Sequence, residues 1–402
     1  MTFRTLDDLA PGQRVLVRLD LNSPVEDGVV RDNRRFDRHA ETVRDLVADD
    51  HRIALMAHQG RPGRDDFVSL AEHADILADH AGCDVDFVPD TFGDEALAAV
   101  EALSAGDVLL LENTRMTDDE LPEKPPEEHA DSEFVRSLAP AFDAYVNDAY
   151  SAAHRSHASI VGFPQVLPAY AGRVMVSEFE ANSAVAKREF DGDVTMVVGG
   201  TKAADVIDVM ESIGDRVDAF CVGGIAGELF LRAAGHPVGR DVGDDDLFAE
   251  QWEQTHDTVE TLLEERGDGI RLASDLAYEG DDGERAEVAV EEIEKKDRAY
   301  LDVGSDTVAA YDPVIRDSAA VFVKGALGKF EDERFADGTV GVLEAIAETD
   351  CFSVVGGGDT SRAIELYGLD GGDFSHVSIA GGAYIRALTG KPLAGVEALK
   401  TE

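Results

Sequence analysis

Apolar, β-rich runs recur along the chain, each stopping at a polar or glycine-rich tip before helix-like sequence resumes. In the first half the runs are residues 15–21, 53–57, 85–88, 108–111 and 144–146; in the second they are 194–198, 219–222, 270–273, 299–303, 320–323, 352–355 and 376–379. Stretches such as 36–47 and 70–78 between them read as helices. Strands alternating with helices predict βαβ units and parallel sheets covered on both faces. The predicted fold class is therefore α/β: two doubly wound, Rossmann-like parallel-sheet domains joined by a hinge helix. That helix is read over 169–190, where Ser177 and Glu180 match the spacing of a capping box, and it divides the chain into domains 1–170 and 171–389. Residues 121–126 hold three prolines and read as an exposed loop.

The tips differ between the halves. Those of the first carry arginine and histidine: Arg18-Leu-Asp-Leu-Asn22, His58-Gln-Gly-Arg61, Asn113-Thr-Arg115 and His154-Arg155. Those of the second carry glycine: Gly199-Gly-Thr-Lys202, Gly223-Gly224, Gly304 and Gly356-Gly-Gly-Asp-Thr360. Ligands of open parallel sheets sit at the carboxyl ends of the strands. One half thus looks built for a small anion, the other for a phosphate tail approached by bare backbone.

Composition changes the picture in one respect. The 402 residues include 83 Asp and Glu against 36 Lys and Arg, a formal charge of −47. Such a surface disfavours nucleic acid and anionic membranes as partners. The patterned apolar runs argue against disorder, so the acidity reads as a solvated surface in a salt-rich cytoplasm, where the Debye length shrinks to about 3 Å and self-repulsion is screened. Cys83, Cys221 and Cys351 are far apart and read as small hydrophobes. No apolar run reaches membrane-spanning length. The expectation is a cytoplasmic monomer.

The chemistry follows from the tips. Glycines 356–358 let a polyanion approach backbone N–H groups, and a helix opening there, with Asp359 or Thr360 as its cap, adds a partial positive charge. An acid directly after the glycines repels phosphate unless a cation intervenes, which suggests Mg²⁺ carried in with a nucleotide. Lys202, at the tip of a glycine turn in a lysine-poor chain, is placed to meet a phosphoryl group. No Walker A loop, G-x-G-x-x-G, G-x-S-x-G or HExxH frame is present. The aspartate-rich loops at 241–246 and 281–284 lack EF-hand spacing and read as solvated surface. Arg35, Arg61, Arg115 and Arg155, with His58 and His154, occupy corresponding places in successive βα units, and guanidinium forks match carboxylate and phosphate oxygens.

Along its whole length the chain resembles the phosphoglycerate kinase family. Arg18-Leu-Asp-Leu-Asn-Ser-Pro24 is similar to that family's R-x-D-x-N-x-P, Met56-Ala-His-Gln-Gly-Arg-Pro62 to S-H-L-G-R-P, and Glu112-Asn-Thr-Arg115 to E-N-x-R. Residues 147–158 resemble N-D-A-F-x-x-A-H-R-x-H-A, Gly199–Lys202 resembles G-G-A-K, Gly356–Thr360 the G-G-G-D-T loop, and 376–383 resemble S-H-V-S-T-G-G-G-A. The resemblance implies reversible phosphoryl transfer between ATP and the carboxylate of 3-phosphoglycerate in glycolysis and gluconeogenesis, in line and after domain closure. It implies that Asp20, Asn22, Arg35, His58, Gln59, Gly60, Arg61, Arg115 and Arg155 hold the acid, and that Arg35 and Lys202 are catalytic. Gly304, Glu331, Gly357, Gly358, Asp359 and Thr360 would serve the nucleotide, with Asp359 meeting Mg²⁺ through it. The first domain would bind 3-phosphoglycerate, the second the nucleotide, and the tail 390–402 would pack back on the first. Two departures stand out. Val206 occupies a place where many members carry a second lysine, and Lys324-Gly-Ala-Leu-Gly-Lys-Phe-Glu331 replaces N-G-P-x-G-x-F-E, so that Lys324 or Lys329 is expected to restore the charge.

Overall fold

A computed structural model describes residues 3–184, 188–239, 247–293 and 298–400, in which the apolar runs become short strands, most of them buried. The chain divides into two units, Met1–Glu180 with Lys391–Glu402, and Ala181–Gly390. The strands of the first unit are β1 (Arg14–Arg18), β2 (Val25–Glu26), β3 (Val29–Val30), β4 (Arg52–Met56), β5 (Asp86–Phe87), β6 (Val108–Leu110), β7 (Ala144–Asn147) and β8 (Ala169–Ala171). Six of them form one parallel sheet in the order β5-β6-β4-β1-β7-β8. Its central strands lie under helices on both faces, which is why they read as continuous apolar runs and not as alternation.

The helix Arg34–Ala48 buries Phe36, His39, Ala40, Val43 and Leu46 along one stripe. Asn33 caps it by accepting from the Arg35 amide at 2.9 Å, which sets Arg35 in the first turn. The proline-rich segment runs as loop to Pro125, and Pro126 opens the short helix Pro126–Ala130, where a missing N–H costs nothing. The C-terminal segment belongs to this unit: the helix Ala394–Glu397 lies against Ala149, Ala152, Ile160 and Val161, and the Gly395 amide donates to the Ala153 carbonyl at 2.8 Å.

The expected single helix over 169–190 is not what forms. Ala169–Ala171 is the sheet strand β8, the helix spans Arg173–Asn182, and Phe190 lies beyond it, packed against Phe322 and Phe352. The units divide inside that helix, after Glu180 and not after residue 170. Ser177 sits within the helix, so the capping-box reading fails; Asp148, from the tip of β7, caps it instead by accepting from the amides of Val174 and Met175 at 2.8 and 3.1 Å. A carboxylate distant in sequence has replaced the local cap.

The second unit contains β9 (Val194–Val198), β10 (Ala219–Val222), β11 (Ile270–Arg271), β12 (Asp275–Glu279), β13 (Arg285–Ala289), β14 (Asp302–Val303), β15 (Ala320–Lys324), β16 (Phe352–Gly356) and β17 (His376–Ser378). Its parallel sheet runs β11-β10-β9-β15-β16-β17, so the order reverses between β9 and β15. Beside it stands an antiparallel sheet, β13-β12-β14, that the pattern did not anticipate. The run 299–303, expected to join the parallel sheet, contributes only β14 to this smaller one. The loop at 281–284 is the turn of its β12–β13 hairpin, with the Gly280 amide bonded to Glu284 O and Gly283 left-handed. The other aspartate loop, 241–246, lies outside the described residues.

Candidate functional site

The tips of β6, β4, β1 and β7 come together because those four strands are neighbours in one sheet. Asp20, just past β1, is the hub of the first unit's cluster. Its carboxylate accepts from Arg35 Nη1 at 2.5 Å and from the Ser151 hydroxyl, and lies 3.8 Å from His58 Nδ1. Arg18, the last residue of β1, is buried; it donates to Ser159 Oγ at 2.8 Å, meets His58 Nδ1 at 3.0 Å and lies 3.9 Å from Glu120. Arg115 donates to the Gly60 carbonyl, while Asn113 holds its amide at 3.1 Å. Gly60 is left-handed, and a side chain there would collide with the Asp66 backbone. Asn22 fixes the same turn by accepting from the Gly60 amide at 2.8 Å.

Burial alone would push the Asp20 carboxyl up. The Arg35 guanidinium, then His58, the Ser151 hydroxyl and Arg18, outweigh it and hold the group well below the usual carboxylate range. His58 is pushed well below its ordinary value by burial, against the pull of Asp20 and with the push of Arg18, Arg115 and Arg35. Burial, with Arg18 and Arg155 close by, brings the Arg115 guanidinium down to about 10. His157 falls to about 3 through burial, then Arg155, Arg115 and Arg18. Arg18, Arg35 and Arg115 thus act together on His58, and Arg155 joins Arg18 and Arg115 at His157. Together they form a basic, partly dehydrated cluster suited to an anion with more than one negative group.

The remaining residues of the first half fare differently. Arg61 is exposed in the turn after Gly60. The Gln59 carboxamide is fully buried and committed to Ser23, Asp66 and His73, so it shapes the turn and does not face a ligand. Arg18, Ser151 and Glu120 were not assigned from sequence. The signal for Arg18 was present, a charge closing an apolar run; for Glu120, in an irregular loop, there was none.

In the second unit a cavity of about 450 Å³ opens at the carboxyl ends of the strands. Gly200, Gly223, Gly224 and Gly227 form one wall, Ala273, Leu276, Tyr300, Val303, Leu327 and Phe330 an apolar one, and Lys329, Glu331 and Asp359 add charges. The loops after β9 and β15 are stitched together, with the Gly199 amide on Lys324 O at 2.9 Å and the Gly200 amide on Ala326 O at 2.7 Å. Gly304 follows the lining residue Val303 but does not itself line this space; a side chain on it would strike the Asp275 carboxylate, which caps the helix Ser305–Arg316 through the Asp306 and Thr307 amides.

The three consecutive glycines after β16 have three different reasons. A side chain on Gly356 would enter the Tyr384 ring, Gly357 has φ +108°, and Gly358 faces open space. Packing accounts for the first and backbone conformation for the second. Only Gly358 leaves room for a visitor. The helix Gly358–Leu366 has Gly357 as its cap, so neither Asp359 nor Thr360 caps it as expected; the Thr360 hydroxyl turns back to Gly356 O at 2.9 Å. Asp359 is exposed in the first turn. Lys202 is exposed at the end of the loop that Gln251 holds through Ala203 N and Thr201 O. Val206 is buried. Among the described residues no group of three or more His, Cys, Asp or Glu is arranged to hold a metal ion.

Comparison with known proteins closes on one family. The family model "Phosphoglycerate kinase" matches residues 6–391. The chain is 75% identical to phosphoglycerate kinase of Halorubrum lacusprofundi over 99% of this chain and 98% of that one. It is 69% identical to that of Haloarcula marismortui over 100% of both. Among solved structures it resembles phosphoglycerate kinase from Pyrococcus horikoshii, with a TM-score of 0.92 at 32% identity over 99% and 98% of the two chains. It also resembles the Coxiella burnetii enzyme, with a TM-score of 0.80 at 28% identity over 99% and 98%.

Proposed function

The chain belongs to the phosphoglycerate kinase family, phosphotransferases of glycolysis, and from that premise we propose how its two sites divide the reaction. The first unit binds 3-phosphoglycerate. Arg115, Arg155, His58 and Arg61, with the turn shaped by Asn22, Gln59 and Gly60, take its charged ends, and Asp20 keeps Arg35 oriented until substrate arrives. The second unit binds ATP or ADP. The adenosine enters the apolar cavity beside Gly304, Glu331 meets the ribose, and the phosphates lie over Gly357, Gly358 and the amides at Asp359 and Thr360. Asp359 would hold Mg²⁺ carried in with the nucleotide, and that ion would supply charge neutralisation for the phosphates.

In the reaction a carboxylate oxygen of the acid attacks the γ-phosphorus while the bond from that phosphorus to the bridging oxygen of ADP breaks. The products are an acyl phosphate and ADP, and no protein nucleophile takes part. Arg35 and Lys202 act on the migrating group by holding its oxygens and offsetting their charge. Direct transfer needs the two reacting oxygens in line, so closure of the units belongs to this reading; it also keeps out water that would hydrolyse the donor. The reading places the chain in the cytoplasm as a monomer.

The observation that carries it is the gathering of Arg18, Arg35 and Arg115 around His58 and its neighbour Asp20, with Arg155 beside Arg115, at the ends of neighbouring strands. The test is a coupled assay with ATP and 3-phosphoglycerate in molar KCl. The wild-type chain should turn over, and Arg35→Ala should lower kcat by about 10²–10³-fold. An inactive wild type, or an Arg35→Ala variant of undiminished kcat, overturns it.

A further inference from the structure

Lys324 closes β15, the strand at which the order of the second sheet reverses. Its backbone pairs in register with Val198 on one side and Gly356 on the other. Those are the last residues of the two strands whose next residues are the glycine loops. The side chain is therefore anchored on the middle strand, with Gly199-Gly200 to one side and Gly357-Gly358 to the other. The ammonium ends beside the second loop, since a Cβ on Gly357 would stand 3.3 Å from Lys324 Nζ.

Its electrical neighbours are Asp359, Asp205 and Lys202. Burial lowers the pKa of the ammonium, Asp359 and Asp205 counter this, and Lys202 reinforces it. Two ammonium groups drawn together at the mouth of a bare-backbone cradle repel each other, and a polyanion lying between them relieves that repulsion. The helix Ala203–Ile213 that follows Lys202 contributes no cation of its own. Lys329 differs from Lys324: it is exposed, and its charge acts on Asp332.

We infer that Lys324 is a second cation for the nucleotide's phosphate chain, supplied from the central strand between the two glycine loops. This rests on the nucleotide reading of the second unit. The side chain is a binding group for the phosphates bridging toward ADP, with Lys202 left to the migrating phosphoryl group. Asp359 and Asp205 hold the ammonium while the cradle is empty.

The test measures binding of adenosine, AMP and ADP to the whole chain in molar KCl by calorimetry, for wild type, Lys324→Met and Lys324→Arg. Loss of one charge-assisted contact should weaken ADP binding by about ten- to a hundredfold in Lys324→Met. Adenosine affinity should stay unchanged, and Lys324→Arg should recover most of the ADP affinity. Equal ADP affinity in wild type and Lys324→Met overturns the inference. So does an equal loss for adenosine and ADP, which would mark a packing role. Should Lys324→Met fail to fold, Lys324→Gln carries the same comparison. A wild type that binds neither adenosine nor ADP instead overturns the nucleotide reading beneath it.

Discussion

In the first unit the site is made of charged side chains sunk at the ends of strands; in the second it is made mostly of backbone and apolar surface. Arg18, Asp20, Glu120 and His58 are buried together and hold one another in place. Around the second cavity the charged groups Lys202, Lys329, Glu331 and Asp359 are exposed, and the walls are glycine and hydrocarbon. The difference follows from the ligands proposed for each. A small acid offers little besides charge, so fixed guanidinium groups must recognise it. A nucleotide offers a flat apolar ring for burial and a phosphate chain that backbone amides can approach. The first design stores much of its stability in mutual charge compensation. The second stores its own in packing, and should tolerate loss of a charge more easily.

That contrast can be broken or sharpened by experiment. Salt should act on both units alike, because acidic residues outnumber basic ones in each. Transfer from molar KCl to dilute buffer should abolish the cooperative fold, followed by circular dichroism; an unchanged melting temperature would contradict the salt-loving reading. Asp20→Ala should be the most damaging single change, costing about 3–5 kcal/mol, since it removes the buried carboxylate that Arg35, His58 and the Ser151 hydroxyl all face. A shift in denaturant midpoint worth less than ~1 kcal/mol would mean the cluster is more solvated than its burial indicates.

Acid should distinguish the units. His157 and His73 are held neutral in the fold, at about 3 and about 4, chiefly by burial. The unfolded chain binds those protons near pH 6.5. Their contribution is therefore complete above about 6.5 and is lost as pH falls toward about 4 for His73 and about 3 for His157, on the order of 2 kcal/mol each by pH 5. Hydrogen exchange at pH 5 should show protection falling first in residues 14–18, 52–56 and 144–147; uniform loss across both sheets would remove the distinction. The smallest effects separate packing from function. Gly356→Ala should cost about 1–3 kcal/mol against the Tyr384 ring. Gly358→Ala should cost no stability yet weaken ADP binding several-fold, and unchanged binding would show that no ligand uses that open face.

Much of this was legible before any coordinates. The apolar runs became strands because buried parallel strands need continuous hydrocarbon on both faces. The basic and glycine-rich tips fell at carboxyl ends as the alternation required. What escaped had non-local causes. Tyr170 reads equally well in a helix, and its place in β8 depends on a vacant edge beside β7. The helix after it takes its cap from Asp148, which no local pattern near Ser177 could reveal. Gln59 looked like a ligand-facing side chain in a conspicuous motif, yet its carboxamide ties together Ser23, Asp66 and His73.

Alternation, tip chemistry and charge balance are properties of neighbouring residues, so the chain alone settled the α/β class, the two kinds of strand tip and the acidic balance. Strand order is a property of distant segments, and it alone decided which tips meet. It put β1 between β4 and β7, so that Asp20, His58 and Ser151 touch. It also put β15 between β9 and β16, so that Lys324 lies between two glycine loops. The free energy of burying a sheet selects that order, and the side chains at its edge meet as a consequence.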